Sequence, residues 1–498
     1  SDDKFTPVDR AERAIGKFSR ISESEVRTPR HLSQDVVRGI PASELRNAII
    51  SGEAVLDIAS KFGEFTLELY KHLTEHLGLH HSEVQNMIYS IPTSQIAYEL
   101  TRRFYELLNL NTDLVSMTVT SYDLLQSTSE DGLDTPTVKT LIESGQLFMS
   151  DESSAHSHKG DNAGVKFAAV VGNPPYQESD GGGGAGRSAS ALYPSFVNLG
   201  FHTATRFVSM ITPSRWFNGG KGLVHIRNTW MNDERFVKIV DFANSRDAFS
   251  EGVDIPGGIN YFLWDQFHSG DCDFINISGT NIVSTMRRPL NEFPVIVRSN
   301  DAVSILHKVL DESDTFLESI VYSRKPFGLE SRQAHLANGD IQLRNSRGLG
   351  PFSRADVPTG HDLINRWKVI VSKATFEHAG VPDKHGMMRV LSVAQILPPG
   401  TVCTESYLVI DAFDSEQLAQ RCLKFLKTQF VRYLIAQMLA SMNMSKSTFR
   451  FVPAIDFCDA TLLPWDDAVV DIDRALQERF KLDDHERQAI DTFIHPME

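Results

Sequence analysis

Residues 167–177 read FAAVVGNPPYQ, an apolar run that ends in a glycine, an amide, two prolines and an aromatic ring. An apolar run without polar alternation is typical of a parallel strand that is covered by helices on both faces. In an open parallel sheet, ligands bind beyond the carboxyl ends of the strands. The stretch therefore predicts a buried parallel strand that places Asn173 at the ligand-binding edge of the sheet.

The four residues after this strand are predicted to form a compact receptor. Two successive prolines, Pro174 and Pro175, fix the backbone and remove two N–H donors. The amide oxygen of Asn173 and the carbonyl of Pro174 can accept the two hydrogens of an amine, and the ring of Tyr176 offers a stacking surface. We expect a flat ring that carries an NH2 group to fit here. The alternative interpretation is a plain strand-to-turn corner.

Strand-like and helix-like segments alternate through the first half of the chain. This alternation predicts an α/β fold with a mostly parallel, doubly wound sheet. From about residue 270 the strands look shorter and the loops longer, which predicts a mixed α+β domain. We expect a first domain at 1–270, a connecting segment at 271–320, and a second domain with a helical tail at 321–498. The strand-like runs of the first half lie at 54–60, 86–91, 116–121, 167–173, 206–212 and 237–243.

Charge is unevenly distributed along the 498 residues. The net charge of the chain is −15, so the overall charge gives no indication of a nucleic-acid partner. Residues 321–460 differ, because they contain 17 Lys/Arg against 12 Asp/Glu, a local balance of +5. A nucleic-acid contact, if there is one, is therefore expected in this segment.

Several other classes of protein are not favoured. The four cysteines are scattered and the seventeen histidines show no metal-binding spacing, so we expect no metal site and a reduced, cytoplasmic protein. No apolar run is long enough to predict a membrane span. The glycine-rich loop at 178–188 resembles a phosphate-binding loop, but it has Arg187 where lysine is needed and it does not follow a strand. A flexible flap over a bound base, or a disordered linker, suits its glycines better.

The chain resembles the S-adenosylmethionine-dependent amino-methyltransferases, specifically the N6-adenine DNA enzymes of restriction–modification and related phage-defence systems. Residues 173–176 match the family's Asn/Asp-Pro-Pro-Tyr/Phe motif in full, and the resemblance extends over most of the chain. It implies a Rossmann-like catalytic domain that is followed by a DNA target-recognition domain, in the motif order called gamma. Further blocks that carry the resemblance are TPRHLSQDVV (28–37), VLDIASKFGEF (55–65), TSYDLL (120–125), SMITPSRWFNGGKGL (209–223), VDIPGGINYFLWD (253–265), CTESYLVIDAF (403–413) and SKSTFRFVP (445–453).

The resemblance implies roles for individual residues. Asn173, Pro174, Pro175 and Tyr176 would be catalytic, gripping the amine and stacking the base. The residues that would bind S-adenosylmethionine are Thr28, Pro29, Asp57, Ala59, Gly63, Phe65 and Asp123. Lys61 and Phe62 depart from the family pattern, because small residues are typical at their positions.

Recognition of the cofactor ribose is a second departure from the family pattern. The second strand usually ends in an acidic residue that holds the ribose hydroxyls, but here the sequence is IYSIPTS, without an acid. Ser90, Thr93 or a residue elsewhere would then hold the ribose.

The predicted DNA contacts are cationic or aromatic residues in loops. Trp216 is a candidate for a position beside the flipped base, and burial in the core is the alternative. Tyr261 and Phe262 are candidates for a second stacking ring, but their strand context favours burial for at least one of them. A solvated basic rim is the alternative for the cations of 321–460. The predicted contacts are Arg215, Trp216, Arg324, Lys325, Arg344, Arg347, Lys446 and Arg450.

The sequence thus predicts an enzyme that methylates N6 of a flipped-out adenine in double-stranded DNA. A separate restriction nuclease or other defence-system subunits would be partners. Three alternatives remain open: cytosine-N4 methylation, protein-glutamine methylation, and a non-catalytic DNA-recognition subunit with a decayed cofactor site.

Overall fold

The computed structural model describes most of the chain. The described residues are 6–15, 27–116, 135–144, 146–148, 164–176, 191–219, 222–249, 255–376, 382–383, 385–439 and 443–497.

The chain forms two compact units. The first consists of Ser1–Trp216 and Lys221–Pro294, and the second of Phe217–Gly220 and Val295–Glu498. The segment predicted as a connection, 271–320, contributes two strands to the first unit and two helices to the second.

The first unit is built on an eight-stranded sheet, counted over the described residues, with the strand order β2-β1-β3-β4-β6-β5-β7-β8. Strands β2, β1, β3 and β4 pair in parallel, as do β5 and β7, whereas β6 and β8 are antiparallel to their neighbours. Six of these eight strands therefore run in one direction. The strands are β1 (Ala54–Ser60), β2 (Ile88–Pro92), β3 (Phe167–Gly172), β4 (Ala204–Pro213), β5 (Phe236–Phe242), β6 (Ile259–Asp265), β7 (Cys272–Ser278) and β8 (Asn281–Arg288).

Helices cover both faces of this sheet, which explains why β1 and β3 are buried along their whole length. On one face, the hydroxyl of Ser209 in β4 donates a hydrogen bond of 3.1 Å to the carbonyl of Val36 in α2. On the other, a Cβ atom at Gly200 in α8 would lie 3.2 Å from Val208 of β4. The helices of this unit are α1 (Pro7–Ile15), α2 (Arg30–Arg38), α3 (Ala42–Ile50), α4 (Glu64–Lys71, continued by a π-helical turn at His72–His76), α5 (His81–Val84), α6 (Gln95–Leu108), α7 (Thr135–Glu143), α8 (Tyr193–Thr203) and α9 (Val224–Met231).

The mostly parallel, doubly wound sheet predicted from the sequence is confirmed. Five of the six predicted strand runs coincide with β1 to β5 within two residues at each end. The sixth, 116–121, lies outside the described residues apart from Ser116, whose N–H donates to the carbonyl of Ser90 in β2.

The second unit is mixed α+β, as predicted. Two three-stranded sheets, β10-β9-β13 and β12-β11-β14, share an apolar core that includes Leu343 and Val409. The strands are β9 (Ile341–Asn345), β10 (Gly348–Phe352), β11 (Trp367–Ser372), β12 (Ala394–Leu397), β13 (Thr401–Cys403) and β14 (Tyr407–Phe413). The helices are α10 (Asn300–Asp311), α11 (Leu317–Ile320), α12 (Glu416–Lys427), α13 (Gln429–Ala436), α14 (Val469–Arg479) and α15 (Asp484–Phe493).

Two further features concern the described residues only. None of their helices combines the length and the apolar character needed to cross a bilayer. They also contain no cluster of three or more His, Cys, Asp or Glu side chains that could hold a metal ion.

Candidate functional site: the carboxyl ends of β1 and β3

Asn173 directly follows β3, and β3 lies next to β1 in the sheet. Asp57 of β1 pairs with Val171 of β3, so the two strands end side by side. A Cβ atom at Gly172 would lie 3.3 Å from Ile58 and 3.7 Å from the Oδ1 atom of Asp57. The Asn-Pro-Pro-Tyr segment therefore begins beside the turn that follows β1, which is the arrangement that the predicted receptor requires.

The amide of Asn173 is satisfied at one end only. Its side chain is 2% exposed, and its Nδ2 atom donates a hydrogen bond of 3.1 Å to the hydroxyl oxygen of Thr28. Its Oδ1 atom is enclosed and has no hydrogen-bond partner. Leaving a buried acceptor unsatisfied costs about 1–3 kcal/mol, and a bound donor would remove this cost. The open end of this amide is an acceptor, as the interpretation of the motif requires.

The rest of the motif is held close to α8. The side chains of Pro174 and Pro175 are buried, and that of Tyr176 is partly exposed. The carbonyl of Tyr176 accepts a hydrogen bond of 3.2 Å from the N–H of Leu192, just before α8. The hydroxyl of Tyr176 is enclosed without a partner, and burial raises the pKa of this phenol. Tyr176 therefore stays neutral, and part of its side chain is accessible.

The turn between β1 and α4 is shaped by Gly63. This residue has φ +76° and ψ +16° and directly precedes the first residue of α4. A Cβ atom there would lie 2.5 Å from the ring of Phe104 in α6. Backbone conformation and packing thus both require glycine.

Asp57 is a buried carboxyl with one oxygen that has no hydrogen-bond partner. Its Oδ1 atom accepts a hydrogen bond of 3.2 Å from the N–H of Ala59, whereas its Oδ2 atom is enclosed without a partner. Burial raises the pKa of Asp57 to about 7. The unpaired acceptor oxygens of Asp57, within β1, and of Asn173, directly after the adjacent β3, fit a ligand that carries donors or positive charge.

Glu64 was not singled out from the sequence, yet it ties this region together. One carboxylate oxygen accepts a hydrogen bond of 3.0 Å from the N–H of Thr28, and the other accepts one of 3.1 Å from the N–H of Phe62. The side chain is 5% exposed, and burial raises its pKa. An acidic residue in the first turn of a helix is the only signal for it in the sequence.

The other residues predicted to bind the cofactor are placed as follows. Ala59 is 2% exposed in β1, and Phe65 is 2% exposed within the apolar core of the first unit. Pro29 is half-buried immediately before α2. Asp123 lies outside the described residues. Lys61 and Phe62, the large residues in the turn, are both buried, at 5% and 0% exposure.

Ser90 and Thr93, the alternatives for ribose recognition, are both enclosed. The hydroxyl oxygen of Ser90 lies 2.9 Å from that of Tyr105 and 3.2 Å from that of Thr66. Ser90 is 0% exposed and Thr93 is 1% exposed. The hydroxyl of Ser90 therefore belongs to an internal network.

Trp216 lies in the core of the first unit rather than at a surface. Its ring is 0% exposed and packs edge-on against Trp230, with ring centroids 5.1 Å apart. This is the alternative that the sequence left open for Trp216, and in this position the ring cannot reach DNA. Phe262 is also 0% exposed, whereas Arg215 and Tyr261 are half-buried.

The predicted cations of the second unit fall into two groups. The first lies around Glu405, which follows β13: Arg324 pairs with its carboxylate at 2.6 Å, and Lys325 at 3.9 Å. Arg344 and Arg347 are on the β9–β10 hairpin, where the carbonyl of Arg344 accepts a hydrogen bond from the N–H of Thr404.

The second group lies beside α11. Arg450 forms a two-pronged ion pair with Glu318, with N–O distances of 2.8 and 2.9 Å. Lys446 is exposed, and its ammonium group lies 3.5 Å from the carbonyl of Ser319. Arg324, Lys325 and Arg450 are thus already engaged by carboxylates, whereas Arg347 and Lys446 are exposed.

The fold and the site define a class. A mostly parallel sheet, with a glycine turn after β1 and an amide and an aromatic ring after β3, is a Rossmann-like domain of the methyltransferase type.

Comparisons with known proteins agree with this class. Residues 86–249 match the Eco57I restriction-modification methylase family. An uncharacterised adenine-specific methylase of Mycoplasma pneumoniae is 29% identical over 167 residues, which are 32% of this chain and 38% of that protein. The chain thus spans well under half the length of this relative. The resemblance to adenine-specific DNA methyltransferases of restriction–modification systems, expected from the motif, is confirmed.

Similar solved structures are more distant. The methyltransferase subunit of a type I restriction-modification system from Streptococcus thermophilus is 14% identical, with a TM-score of 0.33 over 56% of this chain and 54% of that one. The type ISP restriction-modification enzyme LlaGI, solved with a DNA substrate mimic, is 11% identical, with a TM-score of 0.47 over 84% of this chain and 45% of that one. At these values the similarity carries no information on function.

Proposed function

We propose that this protein transfers a methyl group from S-adenosylmethionine to N6 of a flipped-out adenine in double-stranded DNA. The observation that carries the proposal is the buried amide of Asn173, which directly follows β3 and whose Oδ1 atom has no hydrogen-bond partner. The match of residues 86–249 to a restriction-modification methylase family supports the same reaction.

Asn173 and Pro174 would hold the amine of the target base. The Oδ1 atom of Asn173 and the carbonyl oxygen of Pro174 accept its two hydrogens, which turns the lone pair of the nitrogen out of conjugation with the ring. Tyr176 stacks against the base, and Pro175 keeps the segment rigid. Because the amine loses its proton only after attack, no side chain is needed as a base.

The residues around the β1–α4 turn fit a cofactor that carries positive charge. The Oδ2 atom of Asp57 supplies a buried acceptor without a partner, and Gly63 allows the left-handed backbone turn that precedes α4. When bound, S-adenosylmethionine supplies a methyl group on a positively charged sulfur. Asp57, together with Pro29, Ala59, Phe65 and Asp123, would bind this cofactor.

The second unit would recognise the DNA site. Exposed cations such as Arg347 and Lys446 can contact phosphates, and Arg215 of the first unit can act near the base. Flipping a base costs a few kcal/mol, which such contacts must offset. A restriction nuclease or other defence-system subunits would be partners in the cytoplasm.

Transfer of tritiated methyl groups tests the reaction. The protein is incubated with S-adenosylmethionine labelled in the methyl group and with DNA that lacks methylated adenine, and the DNA is then digested to nucleosides. We expect the label in N6-methyladenosine. Label in N4-methylcytosine or in protein glutamine would instead support those chemistries. Absence of both transfer and cofactor binding by calorimetry would indicate a non-catalytic subunit.

A further inference from the structure

Thr28 contacts the candidate catalytic amide directly, although it lies 145 residues away in the sequence. It is 2% exposed, and its hydroxyl oxygen is the acceptor for the Nδ2 atom of Asn173 at 3.1 Å. The Oδ1 atom, at the other end of the amide, has no partner. Thr28 therefore holds the Nδ2 end of the Asn173 side chain, while the Oδ1 end has no hydrogen-bond partner.

Glu64 in turn fixes Thr28. Its carboxylate accepts the N–H of Thr28 with one oxygen and the N–H of Phe62 with the other. Hydrogen bonds to a carboxylate are among the stronger ones in proteins, and this carboxylate is 5% exposed. The segment before α2, the β1–α4 turn and the Asn173 amide are thereby joined in one buried chain of hydrogen bonds.

We infer that Thr28 and Glu64 are positioning residues for Asn173. The Thr28 hydroxyl holds the plane of the amide so that Oδ1 faces the target amine. Glu64 holds the backbone N–H of Thr28 and so keeps this hydroxyl in place beside the β1–α4 turn. This inference rests on the proposed function. It assigns the side chain of Thr28 to the amide of Asn173 rather than to the cofactor, since the hydroxyl oxygen of Thr28 accepts the N–H of that amide.

The substitution Thr28→Val keeps the branched shape and removes the hydroxyl. The Nδ2 atom then loses its acceptor in a buried position, and the amide is free to rotate away from the productive plane. Displacement of a reacting group by about 1 Å can cost on the order of 100-fold in rate. We expect kcat for DNA methylation to fall about 10- to 100-fold, with the Kd for S-adenosylmethionine unchanged, and Thr28→Ser to restore most of the rate.

Thr203→Val is the matched control. Thr203 is also 2% exposed, its hydroxyl has no partner, and it ends α8 just before the first residue of β4, at the opposite end of the sheet strands. Its substitution should change neither kcat nor the Kd for the cofactor.

Three outcomes would overturn the inference. If Thr28→Val keeps the wild-type kcat, the hydroxyl does not position the amide. If Thr28→Val weakens cofactor binding while kcat at saturation is unchanged, the hydroxyl serves the cofactor instead. If the wild-type protein methylates no DNA, the proposed function fails and the inference fails with it, and the activity of the wild-type protein distinguishes this case from the first two.

Discussion

The amide of Asn173 combines a satisfied donor with an open acceptor inside the protein. A purely structural asparagine at 2% exposure would be expected to use both ends. The unsatisfied Oδ1 atom therefore costs stability in the free protein, and a bound amine would recover that cost. An amine that binds there as proposed would be the physical difference between a binding site and a plain strand-to-turn corner.

Replacement of Asn173 by alanine tests this difference. Asn173→Ala removes an acceptor that would be used in the transition state, so we expect kcat for methyl transfer to fall at least about 100-fold. The Kd for S-adenosylmethionine, measured by calorimetry, should stay near the wild-type value. Asn86→Ala, at an exposed position after α5, is the control. Retained turnover in Asn173→Ala would refute the role of this amide.

Asp57 gives a prediction for stability against pH. Burial raises its pKa to about 7, against about 3.9 in an unfolded chain. Between these two values the folded protein binds a proton that the unfolded chain has lost, so this carboxyl contributes stability at low pH that is lost as the pH rises toward 7.

The substitution Asp57→Asn removes this dependence. We expect its unfolding midpoint in urea, relative to wild type, to be higher at pH 8 than at pH 5. The difference between variant and wild type isolates Asp57 from other titrating groups, and Asp113→Asn, at an exposed position, should show no such trend. A difference that is independent of pH would mean that the carboxyl is already ionised in the folded protein at pH 5.

At the scale of elements, the start of α4 depends on one glycine. Gly63 has a positive φ and lies against the ring of Phe104, so an added methyl group meets both strain and a clash. A left-handed conformation costs an ordinary residue about 1–2 kcal/mol, and overpacking adds about 1–3 kcal/mol.

Gly63→Ala should therefore lower the free energy of unfolding by about 2–5 kcal/mol in urea denaturation. Gly78→Ala separates the two causes, because Gly78 also has a positive φ (+68°) but has nothing within 4 Å of an added Cβ atom. We expect the Gly78 variant to lose only the conformational part. Equal losses in the two variants would show that the Phe104 contact is not a constraint.

At the scale of the whole molecule, the local positive balance of residues 321–460 is the basis for the proposed DNA contact. Net charge cannot supply it, since the chain as a whole is at −15. Several predicted cations are paired with carboxylates, which leaves Arg347 and Lys446 among the exposed ones.

Arg347→Ala should weaken DNA binding in proportion to one lost phosphate contact. We expect the slope of log K against log salt, measured by fluorescence anisotropy, to decrease in magnitude by about 1. Arg474→Ala is the control, because Arg474 is exposed but lies in α14, within the acidic tail. An unchanged slope for Arg347→Ala would remove this hairpin from the proposed DNA-binding surface.

The sequence by itself determined the main features of the first unit. Mainly apolar runs predicted β1 and β3 because strands covered on both faces are buried along their length, and the proposed chemistry of residues 173–176 lies in consecutive positions. Local signals of this kind do not depend on the rest of the fold.

Only the tertiary structure decided the contacts between distant segments. That Thr28 receives the amide of Asn173, that Glu64 joins Thr28 to the β1–α4 turn, and that Trp216 is buried against Trp230 are not visible in the local pattern. The same holds for the carboxylates that engage Arg324 and Arg450. Each of these contacts joins residues that are far apart in the sequence. Composition and periodicity describe neighbours along the chain, so they carry no information on such tertiary contacts.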